Sequence, residues 1–211
     1  MKRLYLDIET GPLNPFLLAK VMPEFDAPGN LKDPEKIKAA IEQKRRDWME
    51  AAALKATTGE ILAVTTAEDW AEPVMTVGDE KTLVKGIVDR LNAVDCGEQV
   101  YTWNGSGFDL PFICQRAAAY GIPAFRYLTN CYHGRWSWAE HFVDAMQVFT
   151  MQYNRAEGFG LDAVAKALGV GAKVGKGADF AQTLDADPAK AREYAINDVN
   201  LLRAIVERMG I

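Results

Sequence analysis

Hydrophobic period changes along this chain, and the change limits the available folds more than any other feature. Residues 2–8 alternate, with Leu4, Leu6 and Ile8 on one face and Tyr5 and Asp7 on the other, as in a short strand. Gly11-Pro12 predicts a break after it. Residues 60–66, 73–77, 99–103 and 141–143 are further strand candidates. Elsewhere the period is helical. Leu83, Ile87 and Leu91 mark a helix over 80–94 behind Asp79 as cap. A second helix starts at Asp109, tolerates Pro111 in its first turn and ends at Gly121. Residues 161–168 are helical and stop at Gly169. The last helix has Asp187 as cap, Pro188 in first position, Arg208 in its last turn and Gly210 after it. Strands early, helices late and alternation between them predict an α/β fold, a mixed five-stranded sheet flanked by helices.

The chain's 211 residues fit one domain, 1–211. Residues 20–58 stand outside the alternation and read as a helical insertion after the first strand. In it, Asp33-Pro34-Glu35 starts a helix over 33–56 with Ile37, Ile41, Trp48 and Ala52 on one face and Lys36, Lys44, Arg45 and Arg46 on the other. Residues 169–178 form a Gly-rich loop with Lys173 and Lys176. The net charge of −5 argues against a nonspecific nucleic-acid coat, but not against an enzyme that meets nucleic acid at one site. No apolar run approaches the ~18 residues of a membrane span, so no membrane partner is expected. Cys96, Cys114 and Cys131 are odd in number and far apart, which excludes a disulfide framework and fits a cytoplasmic location.

Three short patterns carry the chemistry. In Asp7-Ile-Glu9, strand geometry aims two carboxylates to one face, although a chain this long holds Asp-x-Glu about once by chance. Asn104-Gly-Ser-Gly-Phe108-Asp109 lies between a strand and a helix, and it lacks the Lys-Ser/Thr of a phosphate-binding loop. Tyr194 and Asp198 are four apart on the last helix and share a face. Acids at a strand end, a helix start and the final helix can meet in a compact sheet. Crowded carboxylates repel, and such oxygen-rich clusters suit Mg²⁺ or Mn²⁺.

The ordered set Asp7-x-Glu9, Asn104-x3-Phe108-Asp109 and Tyr194-x3-Asp198 resembles the three motifs of the DEDD superfamily of 3′–5′ exonucleases. Tyr194, four residues before the last acid, resembles the tyrosine branch, which includes the proofreading domains of family A and B DNA polymerases and RNase D. The histidine branch needs a His where this chain has Glu193. The chain looks most similar to small stand-alone exonucleases related to the family B proofreading domain, some of them phage-encoded. The resemblance implies an RNase H-like fold and hydrolysis of single-stranded or frayed DNA from the 3′ end to nucleoside 5′-monophosphates, with two divalent metal ions. Asp7, Glu9 and Asp198 resemble the ligands of the ion that activates water. Asp7 and Asp109 resemble those of the second ion, and Tyr194 resembles the residue that orients the water. Thr10 and Leu13 stand at the offsets where the family touches the terminal nucleotide, with core packing the competing account of Leu13. Asn104 is a candidate for positioning that nucleotide, and Phe108 for packing that aims Asp109.

Other residues have plainer readings. Asp144 caps the following turn, Asp162 is a first-turn acid, and His133 and His141 are structural. Tyr132, Trp136 and Trp138 beside Arg135 read as core before base stacking. Lys173 and Lys176 are phosphate-contact candidates, set against a solvated loop. An RNase D-like exoribonuclease acting on RNA is the alternative activity. A catalytically inactive nucleic-acid-binding module is the alternative class, and the 33–56 helix is a candidate dock for a polymerase or other replication protein. A phage-encoded enzyme would act in the host cytoplasm.

Overall fold

The computed structural model describes residues 1–95, 97–123, 141–151 and 158–211. Cys96, Cys131, Tyr132, His133, Arg135, Trp136 and Trp138 lie outside the described residues. The chain divides into two units, Met1–Glu9 with Ile61–Ile211, and Thr10–Glu60.

The first unit is built on a mixed five-stranded sheet in the order β3-β2-β1-β4-β5. The strands are β1 (Lys2–Pro12), β2 (Gly59–Glu68), β3 (Val74–Val77), β4 (Glu98–Thr102) and β5 (Phe142–Asp144). β1, β4 and β5 are mutually parallel, with Tyr5 opposite Tyr101 and Thr102 opposite Asp144, and β2 and β3 form an antiparallel pair. The parallel strands therefore end at one edge, where α/β sheets carry their sites. β1 continues past the expected Ile8 as far as Gly11-Pro12. The pair closes the strand, and the missing Pro12 N–H falls where the ladder stops.

Alternation along β1 assigns the faces. Leu4, Leu6 and Ile8 are buried on one side. The helices α3 (Glu80–Asn92) and α4 (Asp109–Ala119) pack on one another and bury Leu83, Ile87, Leu91, Leu110 and Ile113. Tyr5 and Tyr101, on the other face, join a cluster with Leu161, Val164, Leu202 and Ile205. These come from α6 (Leu161–Leu168) and α8 (Pro188–Met209). A smaller cluster sets Ala63 of β2 against Tyr194 and Ala195 of α8 and Phe180 of α7 (Phe180–Ala186). A five-residue helix, α5 (Ala145–Phe149), follows β5 directly.

The expected helix ends recur. Asp79 accepts from Thr82 N at 3.0 Å, Asp187 accepts from Lys190 N at 3.1 Å, and Gly169 and Gly210 end their helices in the left-handed conformation. Replacing Asp79 by Ala should cost about 1 kcal/mol, the worth of an N-cap, read as a lower urea midpoint with unchanged slope. Glu80, beside that cap, is buried and satisfied by Ile61 N (2.7 Å), Arg116 Nε (2.8 Å), Arg116 Nη2 (2.6 Å) and the Tyr120 hydroxyl (2.6 Å). A buried carboxylate survives only with such pairing.

The second unit holds α1 (Pro15–Val21) and α2 (Pro34–Glu50). Asp33 caps α2 through Glu35 N at 2.9 Å. The helix ends at Glu50, short of the expected 56, and a 3-10 turn Ala52–Leu54 follows. Thr58 Oγ1 claims the Ala52 carbonyl at 2.8 Å, which turns the chain toward β2. No residue of α2 is fully buried. Ile37, Ile41 and Trp48 are half-covered, and the basic face is exposed. Among the described residues, no helix is long and apolar enough to cross a membrane.

Candidate active site

Strand geometry puts Asp7 and Glu9 on the Tyr5 face of β1, toward α8. On α8, Tyr194 and Asp198 are one turn apart and are 5% and 3% exposed. One oxygen each from Asp7, Glu9 and Asp198 lies within 4.8 Å of the others. Asp109 opens α4 at 3% exposure, and its Oδ1 accepts from Ile8 N at 3.1 Å, which ties the acid to the strand between Asp7 and Glu9. These acids line a cleft of about 360 Å³ together with Tyr194, Asn104 and Phe108. The second and third sequence patterns thus reach the first across the sheet edge. Phe108 packs against Phe112 with the ring centres 5.5 Å apart and the rings tilted, which fixes the start of α4 behind Asp109.

The site is electrostatically unfavourable on its own. Burial is the largest cause of every carboxyl shift in it. Glu9 is pushed up to about 8 by burial, then by Asp198 and Asp109, with Lys173 opposing. Asp109 is pushed up to about 7, although the Ile8 amide holds it down. Asp7 is raised well above the carboxylate range by burial and by Glu9, Asp109 and Asp198. Asp198 is raised by burial, with Lys173 and Tyr194 opposing. Burial and the surrounding acids also raise Tyr194, so its phenol stays protonated.

One cation of the chain already answers this charge. Lys173 Nζ lies 2.5 Å from Asp198 Oδ2 and 5.1 Å from the centre of the Tyr194 ring. Its loop is not simply solvated. Lys173 N donates to Asp162 Oδ1 at 2.9 Å, and Lys166 holds the other Asp162 oxygen at 2.6 Å. A Cβ on Gly175 would stand 2.8 Å from Tyr194 Cδ2, so only glycine lets the loop close on that ring. Lys176 is exposed.

The donor set fits a hard divalent cation. Its atoms are carboxylate oxygens in one small volume, and Asp198 Oδ1 is buried without a hydrogen-bond partner. An acceptor left in that state costs free energy unless something is held there.

Thr10 and Leu13 belong to the second unit. Thr10 is half-buried in β1. Leu13 packs with Leu18, Ala52 and Trp48, and its N–H donates to Thr58 O at 2.9 Å, which satisfies the packing account of this residue. Trp103 and Met146, which lie outside the three sequence patterns, also line the cleft. Trp103 lies two residues beyond Tyr101, so alternation places it on the site face, and its Nε1 donates to Phe159 O at 3.1 Å. His141, with Nδ1 3.4 Å from Glu98 O, sits before β5 outside this cleft.

Residues 48–201 match the family described as a predicted 3′–5′ exonuclease related to the exonuclease domain of PolB. A DNA polymerase of Methanocaldococcus jannaschii is 38% identical over 60 residues, which is 28% of this chain and 4% of the polymerase. The family B DNA polymerase of the hyperthermophilic archaeon Pyrobaculum calidifontis superposes on 99% of this chain with a TM-score of 0.61 at 15% identity. This chain covers 24% of that polymerase, and the likeness shows the shared RNase H-like fold.

Proposed function

This chain belongs to the family of predicted 3′–5′ exonucleases related to the exonuclease domain of PolB, and from that premise we propose that it removes nucleotides from the 3′ end of single-stranded or frayed DNA. The reading is carried by Asp7, Glu9 and Asp198 meeting within 4.8 Å in the cleft that Asp109, Asn104 and Tyr194 share. The products are nucleoside 5′-monophosphates. The chain acts as one exonuclease domain with residues 20–58 as an insertion, in the cytoplasm.

Asp7, Glu9 and Asp198 would hold one divalent cation, and Asp7 with Asp109 a second. Bound there, Mg²⁺ or Mn²⁺ supplies charge neutralisation at the phosphate and activation of water. The remaining roles fall to the chain. Asn104 seats the terminal nucleotide, and Phe108 packs against Phe112 to aim Asp109. The protonated Tyr194 hydroxyl donates to the attacking water and, with Glu9, orients it. Tyr194 does not serve as the base, because burial among acids raises its pKa further above the ordinary 10. The tyrosine at this position supports assignment to the tyrosine branch of the DEDD superfamily.

A paired digestion tests this. A 5′-labelled DNA strand and its RNA counterpart are incubated with Mn²⁺, Mg²⁺ or chelator, beside Asp198→Ala. The expected result is a ladder shortening from the 3′ end, metal-dependent, absent in the variant and faster on DNA. Mn²⁺ should also raise the melting temperature of the parent and not of Asp198→Ala, since a ligand that binds only the fold stabilises it. A folded parent that binds Mn²⁺ but shortens neither strand would overturn the reading in favour of a binding module. Faster loss of the RNA strand would replace DNA by RNA as substrate.

A further inference from the structure

We propose that Asp144 is a positioning residue, one that holds the 104–109 loop in the conformation in which Asn104 and Asp109 face the substrate. The proposal rests on the exonuclease reading above. Its argument begins with the strand register. β4 and β5 pair Thr102 with Asp144, so the carboxylate stands beside the end of β4, where the chain turns out of the sheet.

From there Asp144 accepts five hydrogen bonds. Its Oδ1 takes Met146 N at 3.1 Å and Gln147 N at 3.2 Å, which caps α5, and Asn104 N at 3.0 Å. Its Oδ2 takes Ser106 N at 3.1 Å and Ser106 Oγ at 2.5 Å. Gln147 Nε2 donates to the same Oγ at 2.5 Å, which directs the hydroxyl proton to Asp144. A helix cap needs one oxygen. The second is committed to the loop, across 38 residues of sequence.

The loop needs such a hold. Asn104 has φ of +60°, a left-handed conformation that Asn adopts more readily than most residues but that still costs free energy. Gly107 N and Phe108 N close on Asn104 O at 3.0 and 2.9 Å, and Leu110 N closes on Gly105 O at 2.9 Å. A Cβ on Gly107 would stand 2.6 Å from Asn104 Oδ1, so the loop is wound against that side chain. The winding runs without slack into Asp109, the first residue of α4. Releasing Asn104 and Ser106 therefore displaces two groups of the cleft together.

The competing account is that Asp144 only caps α5, and Asp144→Asn separates the two. Asn caps helices as well as Asp, so its single oxygen keeps α5, while its amide turns N–H groups toward the Ser106 donors. Expected for Asp144→Asn are a melting temperature close to the parent's, faster amide hydrogen exchange confined to residues 104–109, and kcat/KM on a 5′-labelled single strand lowered about 10- to 100-fold. Ser106→Ala, which leaves the cap untouched, should move exchange and kcat/KM the same way by less. Asn104→Ala combined with Asp144→Asn should lose less than the product of the two single losses, because part of the Asp144 effect runs through Asn104. Parent exchange at 104–109 and parent kcat/KM in Asp144→Asn, or in Ser106→Ala should the first not fold, would reduce Asp144 to a cap. Losses that multiply in the double variant would also overturn the proposal. A parent that cleaves nothing sinks the exonuclease reading instead, and the exchange measurement still decides whether Asp144 holds the loop.

Discussion

Asp7→Asn is expected to slow release of the 3′-terminal nucleotide by roughly 10³-fold or more, with no loss of fold, because residues that act as one unit fail together. Asp7 stands among Glu9, Asp109 and Asp198, whose charges all raise its pKa. It is the one acid that the proposed mechanism assigns to both cations. Asn is nearly isosteric and removes a charge the cluster repels, so a variant purified without metal should melt no lower than the parent at pH 8. The measurement pairs single-turnover digestion in saturating Mn²⁺ with thermal melting in chelator. Parent-level digestion by Asp7→Asn, free of contaminating nuclease, would remove the acid cluster from the mechanism.

Without metal, stability should fall as pH rises, opposite to ordinary acid unfolding. The sign follows from the direction of the shifts. Glu9 ionises near 4.5 in the unfolded chain and at about 8 in the fold, and Asp109 near 3.8 and at about 7. Below the unfolded values both states are protonated and the contribution is complete. Above them the unfolded chain gives up protons that the fold retains, so stability declines until the folded groups ionise at about 7 and 8. Glu9→Gln removes the larger of these two losses. In chelator its melting temperature should exceed the parent's by roughly 5 °C or more at pH 8 and converge with it near pH 4.5. Mn²⁺ should reverse the order at pH 8, because the parent keeps the carboxylate that a cation neutralises. Equal melting curves for the two proteins at pH 8 in chelator would mean that the cluster ionises without penalty.

Much of this molecule is legible residue by residue. Leu4, Leu6 and Ile8 mark one of the two buried faces of β1, Asp79 and Asp187 mark helix starts, and Gly169 and Gly210 mark helix ends. Each signal acts within a few residues of itself, through side-chain alternation, one cap hydrogen bond or one left-handed turn. Reading failed where a distant partner decided the outcome. β1 continues past Ile8 to end at Pro12, and α2 stops at Glu50 before a turn whose carbonyl Thr58 takes up. Lys173, in the sequence a phosphate-contact candidate on a Gly-rich loop, is set by the fold on Asp198, 25 positions further along the chain. Trp103 was within reach of the alternation argument, two residues past Tyr101 on the same face.

By itself, then, the sequence determined the chemistry present, which is four acids, a tyrosine and an asparagine in a fixed order, and the ends of most elements around them. Only the tertiary structure decided that β1 lies between β2 and β4, so that Asp7 and Asp198, 191 positions apart, share one cleft. It also decided that burial lifts Glu9 and Asp109 into the neutral range. Caps and periodicity are local interactions and survive translation into a linear pattern. Proximity across a sheet, and the loss of water that comes with it, exist only once the chain has packed.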